Sequence, residues 1–317
     1  MAKSADSAVT AEKRRKLRIK LRNSLPLMAM ALPGVCYLIV NNYLPMAGLV
    51  VAFKKYTKRG GLFGSEWNGF ENFKFLFRSK DALSITVNTI LYNLVFILLG
   101  TVLAIFIAIV LNEITSQRVK KLYQGAILLP YLMSTVIISY LAYAFLSSNG
   151  FLNKSVLPIL GCEEISWYSS PQYWPFILVF VHLWKGMGYQ CLIYLSSVMN
   201  IDRSYYESVA LDGGTKRQMI WYITLPLIKP TIITMTLIAV GNIFYSDFGL
   251  FYQVPMNSGA LIDVTNVIDT YVYRTFMTMN NVGMSSAAGL YQSVVGFVLV
   301  LITNGIVRKT EKDSALF

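Results

Sequence analysis

Charge is scarce in this chain. Acidic and basic residues together make up 14% of the sequence, against about 25% in ordinary soluble domains, and so low a share excludes a water-solvated globule of 317 residues. Histidine is nearly absent: His182 stands alone, and Cys36, Cys162 and Cys191 lie far apart. That excludes the His/Cys spacing of a zinc site and the clustered cysteines of a disulfide framework. No Gly-x-x-x-x-Gly-Lys-Ser/Thr or Gly-x-Gly-x-x-Gly run occurs, and Gly213-Gly214-Thr215-Lys216 has the wrong order for a phosphate cradle. His-Glu-x-x-His and Gly-x-Ser-x-Gly are missing as well, so the chain reads as a non-enzyme. It is expected to hold no metal or other cofactor of its own.

What the chain has instead is apolar length. Hydrophobic residues make up 55% and mean hydropathy is +0.52. Six apolar segments run near residues 26–52, 86–112, 124–147, 173–198, 225–250 and 284–307. Each is long enough, at about 1.5 Å per residue, to cross a hydrocarbon layer roughly 30 Å thick as a helix. The fold class is therefore all-α, a polytopic membrane protein of six transmembrane helices. The prolines Pro33, Pro45, Pro130, Pro175, Pro226 and Pro230 fall mostly near span ends, where lost backbone bonds are made good by neighbours or water.

The formal charge of +12 does not point to nucleic acid, because eight of the 28 basic residues sit in the first 22 positions and no basic module follows. The stretch after Leu25 runs past Val50 without a small-residue cleavage site, so it is expected to stay as the first span. With an even number of spans the termini share a side. That side carries 17 Lys and Arg against 9 on the other, which predicts cytosolic termini. Seven of the nine fall between Lys54 and Lys80, among Phe63, Trp67, Phe70, Phe73, Phe75 and Phe77. An aromatic-rich helix resting on lipid at the outer leaflet is the expectation there. The chain divides into a basic tail (1–25), a transmembrane domain (26–307) and a second tail (308–317).

Polar residues inside spans are costly, and so they mark candidate sites. In the fourth span His182, Lys185, Gly186 and Tyr189 share one helical face. Gly186 leaves room, and Tyr189 offers the flat ring surface that sugars use. In the fifth span Asn242, Tyr245, Ser246 and Gly249 lie near one face with Asp247 beside them, and Gln292 lies in the sixth. Lys185 has two readings, contact with a solute or an ion pair with an acidic group or helix end of a partner.

The longest polar loop on the expected cytosolic side, 199–224, reads Ile201-Asp202-Arg203-Ser204-Tyr205-Tyr206-Glu207-Ser208-Val209-Ala210-Leu211-Asp212-Gly213-Gly214-Thr215-Lys216-Arg217-Gln218, and Ile223-Thr224-Leu225-Pro226 leads into the fifth span. Ser204 followed by Glu207 predicts a capping box that opens a short helix, and Gly213 or Gly214 the left-handed residue that ends it.

Glu207, Gly213, Ile223, Leu225 and Pro226 fall in register with the EAA signature of bacterial ABC importer permeases, with Ser208 and Val209 in place of its two alanines. The chain resembles the maltose-type sugar permeases, and within them the LplB-like branch. The resemblance continues through Asn41–Met46, Leu128–Tyr131, Leu183–Gly186, Val267–Arg274 and Gly289–Gly296. It implies a type I ABC importer permease fold in a bacterial cell membrane. It also implies a second homologous permease, two cytosolic subunits that bind ATP and Mg2+, an extracellular solute-binding lipoprotein and an oligosaccharide substrate. Glu207, Ser208, Ala210, Asp212, Gly213, Leu225 and Pro226 would couple to the ATPases, and the sugar would pass the fourth and fifth spans. Relatives in this branch are associated with oligosaccharides that include acidic ones, and Lys185 would suit a carboxylate. A related permease for another solute is the alternative; an ion-driven transporter would explain the spans but not the loop.

Overall fold

The computed structural model describes residues 24, 26–78 and 80–310, with no account of the side chains of residues 75–81 and 310. The basic residues up to Arg22, and Lys312 in the second tail, lie outside the described residues. The first span, α1 (Pro26–Phe53), is almost wholly surface. It ends in a two-residue antiparallel ladder, β1 (Lys54–Lys55) with β2 (Glu66–Trp67), followed by a short helix, α2 (Glu71–Arg78). Five further crossings follow, and their helices are α3 (Lys80–Glu113), α4 (Gln117–Leu132) with α5 (Thr135–Leu146), α6 (Trp174–Met199), α8 (Lys216–Gly241) and α10 (Val282–Thr310). The short helices between crossings include α7 (Arg203–Leu211) in the loop before α8, and α9 (Ile268–Met277) before α10. Among the described residues five helices are long and apolar enough to cross a membrane, and the bent pair α4–α5, taken as one span, makes the sixth.

The helices are apolar nearly all round, as expected where lipid is the solvent. On α3, Leu94, Leu98, Val102, Phe106 and Val110 face outward, while Ala104 and Ala108, one turn apart, let Cys191, Tyr194 and Leu195 of α6 approach closely. A second cluster joins the end of α1 and the start of α3 to α9 and α10 through Ala52, Ile85, Ile268, Ala287 and Ala288. The third sets Tyr92, Phe96, Trp174 and Leu178 around Leu250, Phe251 and Val254. Between β1–β2 and α2, Phe53 stacks on Trp67 at 5.9 Å and meets Phe70 and Phe73. Asn72 donates to the carbonyls of Ala52 and Lys54, tying this aromatic corner to the body.

Two predicted spans are not continuous helices. The third is bent by 94° between α4 and α5. Met133 and Ser134 leave the helix there, and the Ser134 hydroxyl accepts the Ile137 amide to cap α5. The fifth was expected to reach residue 250 but its helix stops at Gly241, where the Asn242 amide side chain takes the Ile238 carbonyl. Residues 242–248 run mostly outside helical geometry before a single wide turn at Gly249–Gln253.

Candidate functional site: two broken spans and a surface loop

An unwound stretch inside a span exposes backbone groups that lipid cannot satisfy, so it persists only where protein or a wet cavity takes them over. Here three side chains do so. Asn93 of α3 donates to the Ile243 carbonyl at 2.9 Å and to the Ser246 hydroxyl at 3.2 Å. Gln292 of α10 donates to the Phe244 carbonyl at 2.6 Å and to the Asp269 carboxylate at 3.1 and 3.2 Å. Asp269 of α9 accepts the Ser246 amide at 2.7 Å. Gln292, expected on the solute path, is 5% exposed, and its amide nitrogen bonds both the Phe244 carbonyl and the Asp269 carboxylate and clamps the break from behind.

The next residue faces the other way. Asp247 turns toward α6, where its Oδ2 lies 3.6 Å from Lys185 Nζ, and its Oδ1 accepts the Leu250 amide at 3.1 Å. Lys185 donates to the Thr135 hydroxyl at 2.6 Å. Thr135 is the first residue of α5, so the bend in the third span, the middle of α6 and the unwound stretch of the fifth meet at one ammonium. Gly249 makes the approach possible: a Cβ there would sit 2.8 Å from Thr135 Cγ2. Around this point Gly186 faces open space, and Tyr189 stacks on Tyr131 at 5.0 Å with both rings largely exposed. Tyr245 is also open, its hydroxyl 3.3 Å from that of Ser293. His182 stacks on Phe96 at 3.7 Å and is packed against α3. Of the residues expected together, Lys185, Gly186 and Tyr189 share an open face, Asn242 is spent on capping, and His182 and Gln292 are packing groups. Thr135, Asp247 and Tyr131 complete the face, whereas Asn93 and Asp269 support the break.

The loop between α6 and α8 forms by local rules. Asp202, not Ser204, is the N-cap of α7: its carboxylate accepts the Ser204 amide at 3.0 Å, which holds its pKa below the usual carboxylate range. The capping box lies further on, between Thr215 and Gln218 at the start of α8. The helix ends in a Schellman arrangement, with the Gly214 amide donating to the Val209 carbonyl at 2.8 Å and the Gly213 amide to Ala210 at 3.1 Å. Gly213 takes φ +76, and a Cβ on Gly214 would stand 2.3 Å from Val209 Cγ1. Glu207, Ser208, Ala210 and Asp212 are exposed, and Leu211 is 88% exposed. Two links tie this surface to the spans: the Tyr206 hydroxyl meets that of Thr224 at 2.9 Å, and Lys216 pairs with Glu113 at the end of α3. Leu225 and Pro226 lie in the first turns of the fifth span, just past Thr224.

Comparison with known proteins bears on both regions. Residues 100–312 match the model of the family described as "Binding-protein-dependent transport system inner membrane component". The polygalacturonan/rhamnogalacturonan transport system permease protein YteP of Bacillus subtilis (strain 168) is 30% identical over 298 residues, covering 94% of this chain and 92% of YteP. Protein LplB of the same organism is 31% identical over 288 residues, 90% of each. Among solved structures, a chain of a bacterial alginate ABC transporter, in complex with an alginate pentasaccharide-bound periplasmic protein, superposes with a TM-score of 0.84 at 31% identity. The match covers 92% of this chain and 97% of that one.

Proposed function

The chain belongs to the family of binding-protein-dependent transport system inner membrane components, and from that premise we propose that it is the permease subunit of an ATP-driven importer for oligosaccharides. The observation that carries this reading is α7, a rigid, glycine-ended helix that lies exposed yet is tied to α8 through Tyr206–Thr224, while Lys216 at the start of α8 pairs with Glu113 of α3. A helix held in that way passes a push to the spans as a rigid body, as a two-state transporter requires. Glu207, Ser208, Ala210, Asp212 and Gly213 form the face toward a cytosolic ATPase, and Leu225 and Pro226 receive the motion. ATP and Mg2+ are bound by two such ATPase subunits, and a second permease completes the membrane part. Both termini are cytosolic, so the β1–β2 corner lies on the outer side, where an external binding protein delivers the sugar. Lys185, Gly186, Tyr189 and Tyr245 line its route. Its acidic character is supported by YteP's substrates and by alginate, an acidic polysaccharide.

The test is Gly213→Pro in the assembled transporter. Proline fixes φ near about −65° and lacks the amide that bonds Ala210, so the end of α7 is lost while the spans are untouched. The variant is expected to assemble with its second permease and to lose substrate-stimulated ATP hydrolysis and uptake together. Normal stimulated hydrolysis in an assembled Gly213→Pro complex would overturn the coupling role.

A further inference from the structure

The ion pair at the meeting of the broken spans is poorly made. An ammonium has three donors. Lys185 spends one on Thr135 at 2.6 Å, and Asp247 stands at 3.6 Å, beyond hydrogen-bond distance. Among the described residues no other acceptor lies within that distance of Nζ. The two side chains are 20% and 36% exposed, so the pair borders open space and is not sealed in packing. Each partner also has its own anchor, Lys185 on the Thr135 hydroxyl and Asp247 on the Leu250 amide, and neither collapses when the other is withdrawn. Tyr131 and Tyr189 stack one helical turn away, with Gly186 leaving the intervening surface bare.

From this geometry we infer that the Lys185–Asp247 pair is an exchangeable seat for a sugar carboxylate. A uronate residue of the passing oligosaccharide displaces Asp247, takes the two idle donors of Lys185 and lays its ring along Tyr189. Asp247 stays on the Leu250 amide and re-pairs with Lys185 when the sugar has moved on. The resting pair keeps the ammonium neutralised while no solute is present, which lowers the cost of holding it inside the membrane. The inference rests on the importer reading and adds to it the residues that seat the carboxylate, Lys185 as its partner and Asp247 as the group it displaces.

The experiment uses the complete transporter in proteoliposomes with its binding protein and ATP. Two probes are compared: a short oligogalacturonate, and the same oligomer with its carboxylates methyl-esterified, supplied to variants at concentrations that saturate the binding protein. Lys185→Met is expected to reduce uptake of the acid by roughly tenfold relative to the ester, the loss of one charge-assisted contact. Asp247→Asn is expected to raise uptake of the acid relative to the ester, because the competitor for Lys185 has gone. The double exchange Lys185→Asp with Asp247→Lys rebuilds the pair with inverted order; it is expected to carry the ester as the parent does and to leave uptake of the acid low, because the ammonium no longer stands beside Thr135 and Tyr189. Equal recovery of both probes in the double exchange would make the pair structural and overturn the inference, as would loss of acid uptake in an assembled Asp247→Asn complex. Failure of Lys185→Met to assemble with the second permease, rescued by the double exchange, would overturn it too. If the parent takes up neither probe, the oligosaccharide reading falls and this inference falls with it, whereas a parent that carries both with equal response to all variants removes this inference alone.

Discussion

Ser246 and Asp247 are neighbours in sequence, yet they belong to two polar clusters of opposite kind. Behind the break, Ser246 is held by Asn93 and Asp269, and Gln292 closes the set, so donors and acceptors there meet at 2.6–3.2 Å and little is left over. In front, Asp247 and Lys185 stand 3.6 Å apart with donors unspent and both side chains partly exposed. A saturated buried network fixes one geometry, and an under-used one leaves room for a ligand. The fifth span needs both, because an open seat is only useful if the backbone that carries it does not wander.

The two clusters should therefore answer mutation differently, and the largest effect belongs to the saturated one. Gln292→Leu removes the donor to the Phe244 carbonyl and leaves it buried, and Asp269→Leu does the same to the Ser246 amide. Each is expected to cost about 1–3 kcal/mol of stability, read as a lower melting temperature of the purified complex, and to depress uptake of every sugar alike. Were Gln292→Leu to melt like the parent while losing uptake, the cluster behind the break would belong to the path and the contrast would collapse. A smaller and more selective effect is expected in front. Tyr189→Ala removes one ring of an exposed stack, a contact of about 0.5–1.5 kcal/mol beyond its area. Melting should stay at the parent value while half-saturation for sugar rises several-fold, with acidic and esterified oligomers affected equally. Unequal loss would tie the tyrosines to charge selection and not to ring stacking.

The surface loop was legible from sequence because its interactions are local: five motif positions at fixed spacing placed α7 in the right loop, and Gly213 was one of two residues named for the left-handed turn. Its start was read two residues late. Ser204 and Glu207 have the spacing of a capping box, but Asp202 precedes them and takes the Ser204 amide first, while the working box uses Thr215 and Gln218. The breaks in the third and fifth spans could not be read in this way. Hydropathy runs on across Met133-Ser134 and Ile243-Phe244, and the partners that make unwinding tolerable come from far away in sequence, Asn93 some 150 residues before Ile243. Asn93 and Asp269 carried a signal, as polar residues beside apolar runs, but nothing local connects them to residue 246. Lys185 was found because a charge at mid-span announces itself; Thr135, a hydroxyl at a helix start, does not.

The smallest expected effect sets the floor for the comparison. Asp202→Ala removes a hydrogen bond of the same kind as that between Asp269 and Ser246, a carboxylate on a backbone amide, but at a fully exposed site. Water replaces it at once, so the assembled transporter should keep its melting temperature and its stimulated hydrolysis, and only the first turn of α7 should fray. Hydrogen exchange of the amides after residue 203 in the intact complex is the measurement. Because the Ser204 amide holds the Asp202 carboxyl below its usual range, the cap is fully present above the ordinary carboxylate pKa of about 3.9 and is lost as pH falls through the lower folded value. The variant should therefore exchange faster than the parent at neutral pH, and the two should converge under acid conditions. A drop in melting temperature as large as that of Asp269→Leu would mean that burial is not what separates the strong cluster from the weak one.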